Sequence, residues 1–252
     1  MVTQLPPIVQ EDIIYPESDG QPMADNTKQF ELIVFIKKNC DLLFANNPDV
    51  FVAGDLLWYP VKDDNATCKA PDIMVVVGRP KGHRGSYVQS QENNIPPQVV
   101  FEILSKGNTH KEMIAKYKFY QRYGVEEYYL YDPNTSELTG WLRSNNELQE
   151  IEQMAGWVSP RLGIRFELPN NELQIFRPNG QPFLTFLELD QLREQERQRA
   201  EQERQRAEQE RQRAEQAEAQ AQQERQRAEQ AEAQLEALRA LLREKGINPE
   251  QL

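Results

Sequence analysis

Cysteine, histidine and long apolar runs are all scarce in this 252-residue chain, and its 29 basic side chains are outnumbered by 40 acidic ones. Cys40 and Cys68 are its only cysteines. Two thiols cannot build a disulfide framework, and Cys40 falls on the apolar face of a predicted helix, where a reduced core thiol belongs. The two histidines, His83 and His110, stand far apart in polar stretches. With no recognisable ligand spacing, a zinc site made of His and Cys is set aside. No apolar run reaches the roughly 18 residues that suggest a membrane span. The opening Met1-Val2-Thr3-Gln4-Leu5-Pro6-Pro7 has no charged-then-apolar signal pattern. These absences lead to the expectation of a cytoplasmic protein.

The formal net charge is −11, which argues against a broad, sequence-independent nucleic-acid surface. The charge is uneven. Residues 191–252 hold 14 acidic and 12 basic side chains, net −2, whereas residues 1–190 hold 26 and 17, net −9. A metal can still bring an acidic surface to a phosphate.

Against this background two acids stand out. Asp72 opens Asp72-Ile73-Met74-Val75-Val76-Val77, and Glu102 lies inside Val99-Val100-Phe101-Glu102-Ile103-Leu104. Both runs are apolar and rich in β-branched residues, so they read as buried strands. A carboxylate there is costly unless its charge is compensated. One compensation is a hard divalent cation bound by oxygens: Asp72, Glu102 and the backbone carbonyl of Ile103 could hold Mg²⁺, or Mn²⁺ in its place, with waters completing the shell. Such an ion polarises a phosphate and acidifies water. A lysine would complete the set by stabilising developing charge. On an extended strand Glu102, Leu104 and Lys106 share a face, but Leu104 cannot do ionic work and Gly107-Asn108 break the strand. Lys116, four residues after Glu112 and four before Tyr120 on the next predicted helix, is favoured.

Blander readings exist for each. Asp72 after Pro71 could be a turn residue, Glu102 could be salt-bridged, and Lys116 could be solvated. The tyrosines at 120, 123, 128, 129 and 131 are read first as packing and second as a base-stacking surface.

Along the chain, residues 1–22 read as a Pro-rich arm. A helix is expected from Asp25 to about Asn46, capped by Asp25 or Asn26. Strands follow at Val50–Ala53, Leu56–Tyr59, Ile73–Val77 and Val99–Leu104. Residues 78–97 read as a loop carrying Arg79, Lys81, His83 and Arg84. A second helix, capped by Asn108 or Thr109 and closed by Gly124, precedes a strand at Glu127–Tyr131. Residues 136–178 read as short strands with a turn at Asn145-Asn146. This is an α/β domain over 1–186.

From about Leu187 to Lys245 the chain repeats every seven residues, with Ala200, Ala207, Ala214, Ala221 and Ala228 at one heptad position. Its Glu–Arg pairs three and four apart support a helix. A strong coiled coil needs two apolar positions per heptad, and the central tail offers one. Self-association is expected, if anywhere, through Leu235, Leu238, Leu241 and Leu242, with Gly246-Ile247-Asn248-Pro249 ending the helix. Domain boundaries of 1–186 and 187–252 follow.

Taken together, Pro71-Asp72-Ile73-Met74-Val75-Val76, Val100-Phe101-Glu102-Ile103-Leu104-Ser105, Lys116-Tyr117-Lys118-Phe119-Tyr120 through Gly124-Val125-Glu126-Glu127-Tyr128, and Tyr131-Asp132-Pro133 resemble the Uma-type family of bacterial endonucleases. That family belongs to the restriction-endonuclease-like superfamily with the PD-(D/E)XK core. Tyr15 to Ala24, Gly54-Asp55-Leu56-Leu57-Trp58-Tyr59 and the ending Leu242 to Pro249 are also similar to it. The resemblance implies a mixed sheet flanked by helices and a Mg²⁺-dependent site with Asp72 and Glu102 as metal acids. Leu104 stands where the superfamily has its lysine, and Lys116 matches the family's replacement. Glu31 is the first-helix acid the resemblance suggests. The implied activity is metal-dependent phosphodiester hydrolysis with DNA as substrate. The alternative is a catalytically weak nuclease fold that works as a binding or assembly module through its tail.

Overall fold

The computed structural model describes residues 13–245. The first half of the Pro-rich arm and the expected stop at Gly246 to Pro249 lie outside the described residues. The chain divides into two compact units at Phe186/Leu187.

The first unit is built on a six-stranded mixed sheet. Helix α1 (Thr27–Leu43) begins where the Asn26 side chain accepts the Gln29 amide hydrogen, the usual N-cap geometry. Strand β1 (Val50–Gly54) pairs antiparallel with β3 (Ile73–Val77), which pairs antiparallel with β5 (Val99–Ile103). Helix α2 (His110–Tyr123) then crosses to β6 (Glu127–Asp132), parallel to β5. Thr109 caps α2, and Gly124 closes it at φ 94°, a left-handed conformation that glycine adopts without strain. β7 (Glu137–Ser144) and β8 (Glu147–Glu150) complete the order β1-β3-β5-β6-β7-β8. Asn145 and Asn146 both have positive φ in the turn between them, 50° and 68°, as a two-residue type I′ hairpin requires. Two small pairs sit beside this sheet: β2 (Trp58–Tyr59) with β4 (Tyr87–Val88), and β9 (Arg165–Glu167) with β10 (Gln174–Phe176).

Alternation along the strands splits the core in two. Val50, Val52, Ile73, Val75, Val99, Phe101 and Ile103 pack with Ile33, Ile36 and Cys40 of α1. Phe51, Ala53, Met74, Val76 and Val100 pack with Tyr120 of α2. By the same parity Asp55, Asp72 and Glu102 belong to the α2 side. Cys40 is fully buried, and both cysteines are free.

The structure departs from the expected elements in small ways. Asp72 stands one residue ahead of β3 rather than within it. Only Trp58 and Tyr59 of the expected Leu56–Tyr59 strand pair, because their partner strand is two residues long. Residues 78–97 hold β4 and a 3-10 turn at Gln89–Gln91. Their basic residues are engaged: Arg79 and Arg84 each reach Glu92 at 2.6 Å, and Lys81 donates to the carbonyls of Phe44 and Ala45.

Helix α3 (Phe186–Glu244), 59 residues long, begins at the last residue of the first unit and makes up the described part of the second. Glu–Arg pairs three or four apart form along it, such as Glu194–Arg197 at 3.0 Å and Arg211–Glu215 at 3.4 Å. Among the described residues no helix is long and apolar enough to cross a membrane.

Candidate active site

Antiparallel pairing brings the two acids together. Ile73 sits opposite Phe101, so Asp72 and Glu102 are the next opposed pair. The Ile103 amide donates to Asp72 Oδ2 at 2.7 Å, a bond across the two segments. Asp72 is 7% exposed and Glu102 2%. Burial raises the Asp72 pKa well above the usual carboxylate value, and the neighbouring Glu102 raises it further; Lys116 and the Ile103 amide oppose them.

α2 supplies the cation. Lys116 Nζ lies 2.7 Å from Glu102 Oε2 and 3.4 Å from the Ala70 carbonyl. Burial works against its charge, but Glu102 and Asp72 outweigh that, and its pKa rises. One turn later the Tyr120 hydroxyl donates to Glu102 Oε1. Lys116 and Tyr120 reach the same acid because residues four apart share a helix face.

The cavity at this place has a volume of about 510 Å³. Asp72 and Lys116 line it, together with Asp19, Asp25, Asp55 and Glu112. Glu102 is not among the lining residues; it stands behind Lys116. Asp55 continues the α2-facing side of β1, and its amide donates to the carbonyls of Pro71 and Asp72 at 3.1 and 3.2 Å. Its pKa is raised by burial first and by Asp19 second.

The other expected participants are placed elsewhere. Lys106 is exposed and Leu104 half-buried outside the cavity. Glu31 is exposed; α1 presents Gln29 instead, whose Nε2 donates to the Ile103 carbonyl at 2.8 Å. That carbonyl keeps one lone pair. Gln29 also accepts the Asp25 amide, and Asp25 accepts the Ser105 hydroxyl. Sequence reasoning missed Gln29 and Asp55. Their signals were a polar residue on the Ile33–Ile36–Cys40 stripe of α1 and an acid in step with Phe51 and Ala53.

Among the described residues no three His, Cys, Asp or Glu side chains are grouped to hold a metal. Two carboxylates are nevertheless what Mg²⁺ commonly takes from a protein, the rest being water and substrate oxygens. Burial first and Glu102 second disfavour the ionised form of Asp72, and a bound cation would favour it. The residues present therefore fit a divalent cation.

The model of a family described as "Uma2: Putative restriction endonuclease" matches residues 5–170. The chain belongs to the Uma2 family. This is the family its motifs resembled, and the matched span contains Asp72, Glu102 and Lys116. Uma2 membership supports a nuclease function. One similar solved structure is that of "a putative nuclease belonging to DUF820" from Anabaena variabilis. It is 13% identical with a TM-score of 0.41, over 54% of this chain and 72% of the other. No curated protein matches.

Proposed function

We propose that this chain hydrolyses phosphodiester bonds in DNA with a divalent cation, Mg²⁺ or Mn²⁺, held by Asp72 and Glu102. The observation that carries this reading is the meeting of two buried carboxylates and one half-buried ammonium beside a cavity in a Uma2 chain. The remaining lone pair of the Ile103 carbonyl is a further oxygen for the ion.

A bound cation would supply Lewis acidity toward a phosphate oxygen and make water a stronger acid. The chain's own groups do the rest. Lys116 keeps its proton, so it serves as a fixed positive charge for the phosphate and not as a base. Its contact with Glu102 holds the ammonium at the cavity wall. Leu104 offers no charge from the strand, which leaves that task to α2.

One observation favours the rival reading of a catalytically weak module: each oxygen of Glu102 already has a donor, as in a structural salt bridge. Cleavage of supercoiled plasmid and of single-stranded DNA separates the two. The purified chain should cleave with Mg²⁺ or Mn²⁺, stop with EDTA, and lose activity in Asp72→Asn and Glu102→Gln. Inactivity toward both DNAs with either metal would leave the binding or assembly module as the better account.

A further inference from the structure

Two lysines line the acidic cavity, and one of them is spoken for. Lys116 is paired with Glu102 at 2.7 Å. Lys69 lines the same cavity, half-buried, alongside Asp19, Asp25, Asp55, Asp72 and Glu112. Among the described residues its ammonium makes no hydrogen bond, and no ion pair with any of these five acids. Its backbone is nonetheless fixed. The Lys69 amide donates to the Trp58 carbonyl at 3.3 Å, and the Trp58 amide to the Lys69 carbonyl at 2.8 Å. Trp58 is fully buried in β2. The next residue, Ala70, offers its carbonyl to Lys116 Nζ at 3.4 Å, and Asp72 follows two positions later. The segment 69–72 therefore carries an unpaired ammonium at one end and the candidate metal acid at the other, with Lys116 against its middle.

A half-buried ammonium gives up part of its hydration, and an anion brought beside it offsets that loss. The surrounding acids repel small free anions. A phosphate tethered to one already held at the cation is different, because the tether sets its local concentration. The next phosphate along a nucleic-acid strand is tethered in this way. The cavity, at about 510 Å³, is many times the roughly 30 Å³ share of one water, so it holds more than the reacting group.

We propose that Lys69 binds the phosphate next to the reacting one, so that the site engages two consecutive phosphates of a strand. The proposal rests on the DNA-hydrolysis reading above and deepens it: Lys116 serves the reacting phosphate and Lys69 its neighbour. Lys69 adds affinity and register and takes no part in the chemical step.

Binding tests this without catalysis. Labelled single-stranded and duplex oligonucleotides are titrated with the full chain at a fixed Mn²⁺ concentration and varied salt, and read by fluorescence anisotropy. Their linkages are phosphorothioates, which keep the charge and resist hydrolysis. One phosphate contact contributes about 0.9 to the slope of log K against log salt on duplex, and about 0.7 on single strands. Lys69→Gln should make the slope shallower by about that amount and weaken binding about fivefold at the lowest salt. Lys69→Arg, which keeps the charge, should keep the slope. So should Lys118→Gln, which removes an exposed lysine outside the cavity. Mn²⁺ affinity and thermal unfolding should be those of the full chain in all three. On cleavable DNA, Lys69→Gln should raise KM and leave kcat unchanged. An unchanged slope in Lys69→Gln, a lost contact in Lys69→Arg or an equal loss in Lys118→Gln overturns the proposal and leaves the DNA reading standing. So does a fall in kcat with KM unchanged, which would put Lys69 on the reacting phosphate, or a loss of Mn²⁺ affinity, which would put it at the cation. A full chain that binds neither oligonucleotide overturns the DNA reading itself and this proposal with it.

Discussion

Lys116 is the residue at which position and charge have to agree. Its ammonium reaches Glu102 from a helix, whereas Lys106, nearer in sequence, is exposed. Lys116→Ala should therefore lower metal-dependent cleavage by about 10²–10³, the usual cost of removing one aimed charge-stabilising donor. Lys106→Ala should leave it unchanged, and initial rates on plasmid DNA check both. A second acid offers a purely structural test. Glu127 is fully buried and accepts from the Tyr129 and Ser159 hydroxyls and the Arg161 amide. Burial raises its pKa above the ordinary 4.5, with those hydrogen bonds opposing. A raised carboxyl pKa means the folded chain binds the proton more tightly, so this stability is present in acid and lost as pH rises through the folded value. Urea unfolding from pH 4.5 upward should show that decline in the native chain. The decline should be smaller in Glu127→Gln, which cannot titrate. An identical pH dependence in both would remove Glu127 from the account. Asp72 and Glu102 were legible because acids in apolar β-branched runs are costly and rare. Gln29 was not, since one polar residue on a helix stripe does not reveal which carbonyl it meets across the fold.

At the scale of elements, β1, β3, β5 and β6 were legible from their apolar runs, and α2 from Thr109 and Gly124. What blurred the rest was tertiary pairing. β2 is as short as β4 allows, and the two residues of β4 are too few to show a period. Helix α3 was legible from its heptads. Leu235, Leu238 and Leu241 are 50%, 60% and 52% exposed, and the repeated alanines bury little area at about 25 cal/mol per Å². We therefore expect residues 1–186 alone to fold and to bind the cation as the full chain does, judged by thermal unfolding and Mn²⁺ titration. Any self-association should disappear when the three leucines are changed to serine, judged by sedimentation velocity. A 1–186 fragment that failed to fold would contradict this division of the chain.

For the whole molecule, charge sets the terms. A chain of net −11 whose cavity sets Asp19, Asp25, Asp55, Asp72 and Glu112 against only Lys69 and Lys116 repels a polyanion unless a cation stands between them. The basic residues of 78–97 do not relieve this, because Arg79 and Arg84 are already paired with Glu92. DNA affinity should therefore depend on divalent metal and be nearly lost in EDTA, as fluorescence anisotropy of a labelled oligonucleotide would show. The central claim is that Asp72 and Glu102 share one cation, and anomalous scattering from a Mn²⁺-soaked crystal tests it most directly. The account predicts one peak within bonding distance of an oxygen from each carboxylate, roughly 2.1–2.2 Å. A peak bound to only one of the two, or none beside them at a Mn²⁺ concentration that supports cleavage, would contradict it.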